Sequence, residues 1–303
     1  MRCSSSNGSS RRGAPSSKRR NSRRRDFSES PGVRGDASYV EADRAVTQRT
    51  VIELKDVKKV YQSRVARREP VLALQNVSFE VKEGEFLALV GPSGCGKSTL
   101  LKLVSGLMPP TEGTVKVNGV EVRGPQPDIG IVFQFPVLME WRRVLDNILL
   151  PIEVLERNDL DYRKRALDLV KLVGLTGFED KYPFELSGGM QQRVSICRAL
   201  IHDPPGLIMD EPFSALDEMT RDAMNVELQR IWLERRKTVL YITHSINEAV
   251  FLSDRVAVMS ARPGRILKII DIPLPRPRSL RVRAQPEFVQ QVEAIRDLLG
   301  LLE

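Results

Sequence analysis

The chain has 303 residues, 41% hydrophobic and 28% charged, ordinary values for a globular protein with a sizeable core. No apolar run approaches the roughly 18 residues of a membrane span, and three scattered cysteines (Cys3, Cys95, Cys197) exclude a disulfide scaffold or a zinc finger and favour a reducing compartment. The net charge of +8 invites a nucleic-acid reading, but residues 1–50 hold 12 Lys/Arg against 5 Asp/Glu, so the rest of the chain is nearly neutral.

Residues 1–48 are rich in Ser, Arg and Gly and nearly free of large apolar residues. Such a segment cannot bury enough surface to offset its ordering entropy, so a disordered basic tail is expected. It has no apolar h-region and is not a secretory signal. Its composition fits a dispensable extension from an early start codon, a transit peptide, or a patch for a membrane surface or nucleic acid. Order is expected from about residue 49. Val51–Leu54 and Val77–Val81 read as strands, with Lys82–Glu85 as the turn before Phe86–Val90. That last run is almost wholly apolar, the pattern of a strand buried on both faces of a parallel sheet. A Gly-rich loop and a helical run, Ser98–Val104, follow. Similar buried runs recur at Ile129–Phe133, Gly206–Met209, Val239–Ile242 and Val256–Met259, and helical patterns alternate with the later ones. The expected fold class is α/β with a mostly parallel sheet. Val144–Leu155, Asp161–Val173 and Gly189–Ile201 read as consecutive helices with no strand between them, a helical subdomain inserted at about 136–201. Pro286–Leu302 has helical spacing and forms a C-terminal extension, 281–303. No internal repeat is present.

Gly91-Pro92-Ser93-Gly94-Cys95-Gly96-Lys97-Ser98-Thr99 matches the phosphate-binding loop G-x-x-x-x-G-K-[ST]. Glycines let the backbone curl so that successive N–H groups point into one cavity, and the following helix N-terminus adds positive charge. Lys97 supplies a point charge and Ser98 a Mg²⁺ ligand. Cys95 is a small filler rather than a redox centre. Gly206–Asp210 ends in two acids, Asp210 and Glu211. Beside a phosphate loop, Asp210 is placed to hold Mg²⁺ and Glu211 to polarise a water for in-line attack; without that loop they would only cap a strand end. Ser187, Gly188 and Gly189 in Leu186–Arg193 open a long helix, a second anion site of the same physical kind. One nucleotide rarely needs two such sites from one chain, so the second is expected to serve a nucleotide on another subunit.

These segments together resemble the ATP-binding subunit of an ATP-binding-cassette (ABC) transporter, over about residues 50–280 and in family order. Leu186–Arg193 resembles the superfamily's signature, with Met190 at a variable place. The resemblance implies a P-loop NTPase fold, a RecA-like sheet with an inserted helical subdomain and an N-terminal antiparallel β portion. It implies that Tyr61 stacks on adenine, that Gln134 touches Mg²⁺ and senses the membrane subunit, and that Ser214-Ala215-Leu216-Asp217 meets the opposing subunit. His244, an unremarkable strand-end histidine if taken alone, resembles the switch histidine near the γ-phosphate; His202 reads as a surface or capping residue. Trp141–Asn147, Ser260–Ile266 and Pro273–Arg278 resemble the nitrate/sulfonate/taurine importer group, with Glu140 where those importers usually carry Pro. The implied function is an ATPase on the cytoplasmic face of the bacterial inner membrane. It would bind two ATP and Mg²⁺ as a homodimer and drive separate integral permease subunits fed by a solute-binding protein, with no nucleic acid. An exporter ATPase shares the fold, and the importer-like segments argue against it. A soluble ABC ATPase acting on nucleic acid or ribosomes would usually show paired cassettes, a coiled-coil arm or zinc modules, and none appears. The signature segment excludes a kinase or GTPase.

Overall fold

A computed structural model describes residues 49–62, 69–157 and 161–301; the basic tail lies outside the described residues. Strands β1 (Thr50–Tyr61) and β2 (Val71–Lys82) pair antiparallel. Both are much longer than the four- and five-residue runs expected from the sequence. The reason is local: Asp56 and Asn76 take positive φ (51° and 50°), and the register slips between Leu54 and Val57. These bulges break the period-2 alternation, so only the regular portions are legible. β4 (Glu112–Val117) adds to β1 and the short β5 (Val120–Glu121) to β4, giving a four-stranded antiparallel sheet, β2-β1-β4-β5.

Between them in sequence come β3 (Phe86–Val90), α1 (Lys97–Val104) and, after β5, β6 (Ile129–Val132). Then follow α2 (Val144–Val154), α3 (Tyr162–Leu172) and α4 (Gly188–Leu200). No strand lies between β6 and the next strand among the described residues. β7 (Gly206–Asp210), α5 (Glu218–Arg235), β8 (Thr238–Thr243), α6 (Ile246–Leu252), β9 (Arg255–Met259), β10 (Ile266–Asp271) and α7 (Pro286–Leu298) complete the chain. The second sheet runs β10-β9-β3-β8-β7-β6, parallel except for β10. This is the α/β fold expected, with the antiparallel β portion alongside.

β3 shows why the central run is apolar throughout. Successive side chains point to opposite faces. Leu87 and Leu89 pack with Leu74, Val77, Leu100 and Leu103, between the two sheets and α1. Phe86, Ala88 and Val90 face the other way, among Tyr241, Val250, Phe251 and Trp232. All five are fully buried, and each large side chain so placed is worth about 1.5–3 kcal/mol. The sheet therefore has helices or a second sheet on both faces, and its strand ends open onto one edge where β3, β7 and β8 deliver the loops 91–96, 211–217 and 244–245.

Candidate active site

The phosphate loop leaves β3 and enters α1. Gly96 has φ 111°, and a Cβ there would lie 2.6 Å from Leu74 Cδ2. A Cβ on Gly91 would meet Met259 Cβ at 2.9 Å. Both positions need glycine, one for its dihedral and the other for close approach. Lys97 is 7% exposed. Its ammonium folds over the loop, donating to the carbonyls of Gly91 (2.9 Å) and Pro92 (3.2 Å). Burial pushes the Cys95 thiol up, with Lys97 only partly opposing, which favours the protonated thiol.

β7 ends at Asp210, whose carboxyl is held above its ordinary range by burial while a hydrogen bond from Ser98 pulls the other way. Glu211 follows with φ 45°, a left-handed conformation that is uncommon and costly for a non-glycine residue. Its N–H donates to Ile242 O of β8 (2.8 Å). The turn aims its carboxylate back across the loop. Glu211 Oε1 lies 3.8 Å from Lys97 Nζ, and Oε2 lies 2.9 Å from His244 Nδ1. Lys97, Glu211 and His244, three residues singled out in the sequence, are thus brought together from the segments that follow β3, β7 and β8.

Tyr61 ends β1 half-buried, its hydroxyl 3.2 Å from Thr99 Oγ1, which ties it to the first turn of α1. Gln134 Nε2 donates to Ser214 Oγ (2.9 Å), and Ser214 donates to Glu211 O (3.0 Å). A cleft of 240 Å³ over the loop is lined by Ser93, Gly94 and Gly96–Thr99 together with Glu211 and Arg262. Ser187, Gly188, Gly189 and Asp217 do not line it. Ser187 instead caps α4, accepting from Met190 N (3.3 Å), and Asp217 caps α5, accepting from Thr220 N (3.0 Å). The two helix starts are neighbours: a Cβ on Gly189 would lie 3.3 Å from Thr220 Cγ2.

Ser98 and Asp210 form a hard-oxygen pair suited to Mg²⁺. Among the described residues no group of three or more His, Cys, Asp or Glu could hold a metal alone. Mg²⁺ characteristically takes one or two protein ligands and fills its shell with phosphate and water.

His202, read from the sequence as a surface or capping residue, is half-buried just after α4, and burial lowers its pKa, with Arg157 and Arg165 adding to the effect. The sequence also hid a buried polar cluster behind the site. Glu248 of α6, 5% exposed, accepts from Tyr241 OH (3.1 Å) and Thr243 Oγ1 (2.8 Å), and its other oxygen lies 3.7 Å from Arg221. Arg221 in turn donates to Phe213 O (3.2 Å) and Leu216 O (2.7 Å). The cluster therefore joins the 213–217 loop to the helix that follows His244. Its members come from α5, β8 and α6, and no spacing rule connects them.

Fold and site together define a P-loop nucleoside-triphosphatase with a second helix-N-terminal element that does not line its cleft. Residues 74–214 match the ABC transporter family. The chain is 48% identical over 248 residues, 82% of its length and 91% of the relative's, to an uncharacterized ABC transporter ATP-binding protein of Methanocaldococcus jannaschii. It is 42% identical to a taurine import ATP-binding protein of Jannaschia sp., over 77% of this chain and 87% of that one. Among solved structures it is similar to a dimeric, post-hydrolysis ATP-binding cassette bound to ADP and Pi (TM-score 0.64, 35% identity, 74% of this chain and all of that one). The chain belongs to the ABC transporter family: it is an ATP-binding subunit of an ABC transporter and an ATPase.

Proposed function

We propose that this subunit energises uptake of a small anionic solute of the nitrate, sulfonate or taurine type. It works as a homodimer against separate integral permease subunits, with a solute-binding protein delivering cargo, as a peripheral subunit on the cytoplasmic face of the bacterial inner membrane. The cassette spans 49–280, with the helical subdomain at about 136–201 and 281–303 as an extension. The similarity to a taurine import ATP-binding protein supports the solute class. No helix of the described residues is long and apolar enough to cross a membrane. Trp141, Phe135 and Phe184 are each strongly exposed (75%, 64% and 72%) and offer aromatic surface for a membrane partner.

The observation that carries the ATPase mechanism is the convergence of Lys97, Glu211 and His244. Tyr61 stacks on adenine, its hydroxyl kept aside by Thr99. The N–H groups of Ser93, Gly94 and Gly96 and the Lys97 ammonium hold the phosphates. Water attacks the γ-phosphorus in line: a P–O bond forms, the bond to the β-phosphate oxygen breaks, and the water's proton passes to Glu211. His244 fixes the carboxylate, and Lys97 offsets charge on the phosphate oxygens. Ser98, Asp210 and Gln134 hold Mg²⁺, which when bound supplies positive charge against the phosphates. Ser187–Gly189 and Asp217, which do not line the cleft of their own chain, complete the partner subunit's site.

Glu211→Gln tests this directly. It keeps shape and Mg²⁺–ATP binding but removes the proton acceptor, so turnover should fall roughly 10²–10⁴-fold. ATP, but not ADP, should then trap a dimer on size-exclusion chromatography. Hydrolysis at the normal rate would show that Glu211 is not the base. For the import assignment, ATPase activity of the chain assembled with its permease should rise when solute-loaded binding protein is added; no rise would count against import.

A further inference from the structure

The segment Ser260–Ile266, a mark of resemblance at the sequence level, is seated on the phosphate loop. Ser260 Oγ accepts from Arg265 N (3.0 Å) and donates to Pro263 O (3.0 Å), closing a tight hairpin between β9 and β10. Gly264 N donates to Ala73 O (2.9 Å) and Gly264 O accepts from Gln75 N (3.0 Å), so the hairpin is pinned to β2 as well. A Cβ at Gly264 would lie 2.1 Å from Cys95 O; the hairpin backbone rests directly against the loop, and only glycine fits.

At the tip of this braced hairpin, Arg262 donates through Nε to Gly94 O (3.3 Å) and lines the same cleft as Lys97, Ser98 and Glu211. Among the described residues it has no carboxylate partner and no other hydrogen bond. A guanidinium is thus delivered to the mouth of a phosphate site by a rigid support, with its terminal N–H groups uncommitted. A fork of this kind matches phosphate oxygens better than a lysine does. We propose that Arg262 is a further nucleotide-binding residue that contacts the phosphate chain from the Ser93–Gly94 side, opposite the start of α1. This rests on the assignment of the cleft as the ATP site, and the test separates the two.

Arg262→Gln and Arg262→Lys in the full chain are titrated calorimetrically with MgATP, with Lys97→Ala alongside. Arg262→Gln should weaken MgATP binding about tenfold, the scale of a hydrogen bond to a charged group. Arg262→Lys should lose less, and the nucleotide-free melting temperature of both should be unchanged. Unaltered affinity in Arg262→Gln, while Lys97→Ala loses binding, overturns the proposal and leaves the cleft assignment standing. Lys97→Ala binding MgATP like the wild type overturns the cleft assignment itself. Affinity lost together with a lowered nucleotide-free melting temperature makes Arg262 a brace of the loop alone and also overturns the phosphate contact.

Discussion

Asp210 meets two opposed demands. Its carboxylate must be charged to serve a cation, yet it sits where burial disfavours charge. Burial raises its pKa, and the Ser98 hydroxyl only partly compensates. An acid whose pKa is raised by folding binds its proton more tightly in the folded state. Stability therefore falls as pH rises from the ordinary carboxylate value, about 4, through the raised one. Asp210→Asn removes that penalty. The nucleotide-free variant should melt higher than the wild type near neutral pH, and the difference should close as pH falls toward about 4. MgATP should raise its melting temperature less than it does for the wild type, because binding to the folded state is weaker. Differential scanning calorimetry across pH, with and without MgATP, checks both; a lower neutral-pH melting temperature for the variant would contradict the burial argument. The sequence revealed Asp210 as a strand-end acid beside a phosphate loop. It did not reveal this conflict, which depends on what β7, α1 and the loop bury between them.

Helix α6 follows His244 directly and has only seven residues. So short a helix has little stability of its own, and contacts at both ends hold it. Ser245 caps its start, accepting from Glu248 N (3.3 Å). At its end Arg278, 3% exposed, donates to Val250 O (2.9 Å), Phe251 O (3.0 Å) and Ser253 O (2.8 Å) and to Leu274 O of the following segment. The first three are carbonyls at the C-terminus of α6, where the helix itself supplies no donor and the macrodipole also favours a cation. Burial pushes the guanidinium down to about 10, so it remains charged near neutral pH. Arg278→Met fills the space and donates nothing. The variant should lose about 3 kcal/mol, the scale of several unpaired buried carbonyls, seen as a drop of roughly 6–12 °C in melting temperature. An unchanged melting temperature would mean that packing alone holds the end of α6. Pro273–Arg278 was legible only as a resemblance, because the partners of Arg278 are backbone oxygens and carry no sequence signal. The sequence also hid β5 and β10, edge strands whose exposed or half-buried positions carry no clean alternation, and β4, whose alternation is confined to Thr114–Val117. By contrast β3, β7, β8 and β9 were legible because burial on both faces demands unbroken apolar runs. The phosphate loop was legible because each of its residue types is required by backbone geometry.

Across the molecule, the candidate cleft and the start of α4 are separate features. Ser187–Gly189 starts α4 beside Thr220 and lines none of the 240 Å³ cleft. A helix start with free N–H groups is built to receive an anion, and in this chain its own phosphate loop does not supply one. Two copies arranged head to tail would let each helix start close on the other's nucleotide. The most direct test uses two full-length variants, each inactive alone. Lys97→Ala removes the loop's charge. Gly189→Asp sets a negative charge where the partner's γ-phosphate would lie, and its monomer should still bind MgATP. Mixed dimers would contain one site with both defects and one with neither. ATPase activity of the mixture should therefore rise well above that of either parent. A mixture no more active than its parents, or a Gly189→Asp monomer that cannot bind MgATP, would mean that the signature helix acts on its own chain and that the two subunits do not share their sites.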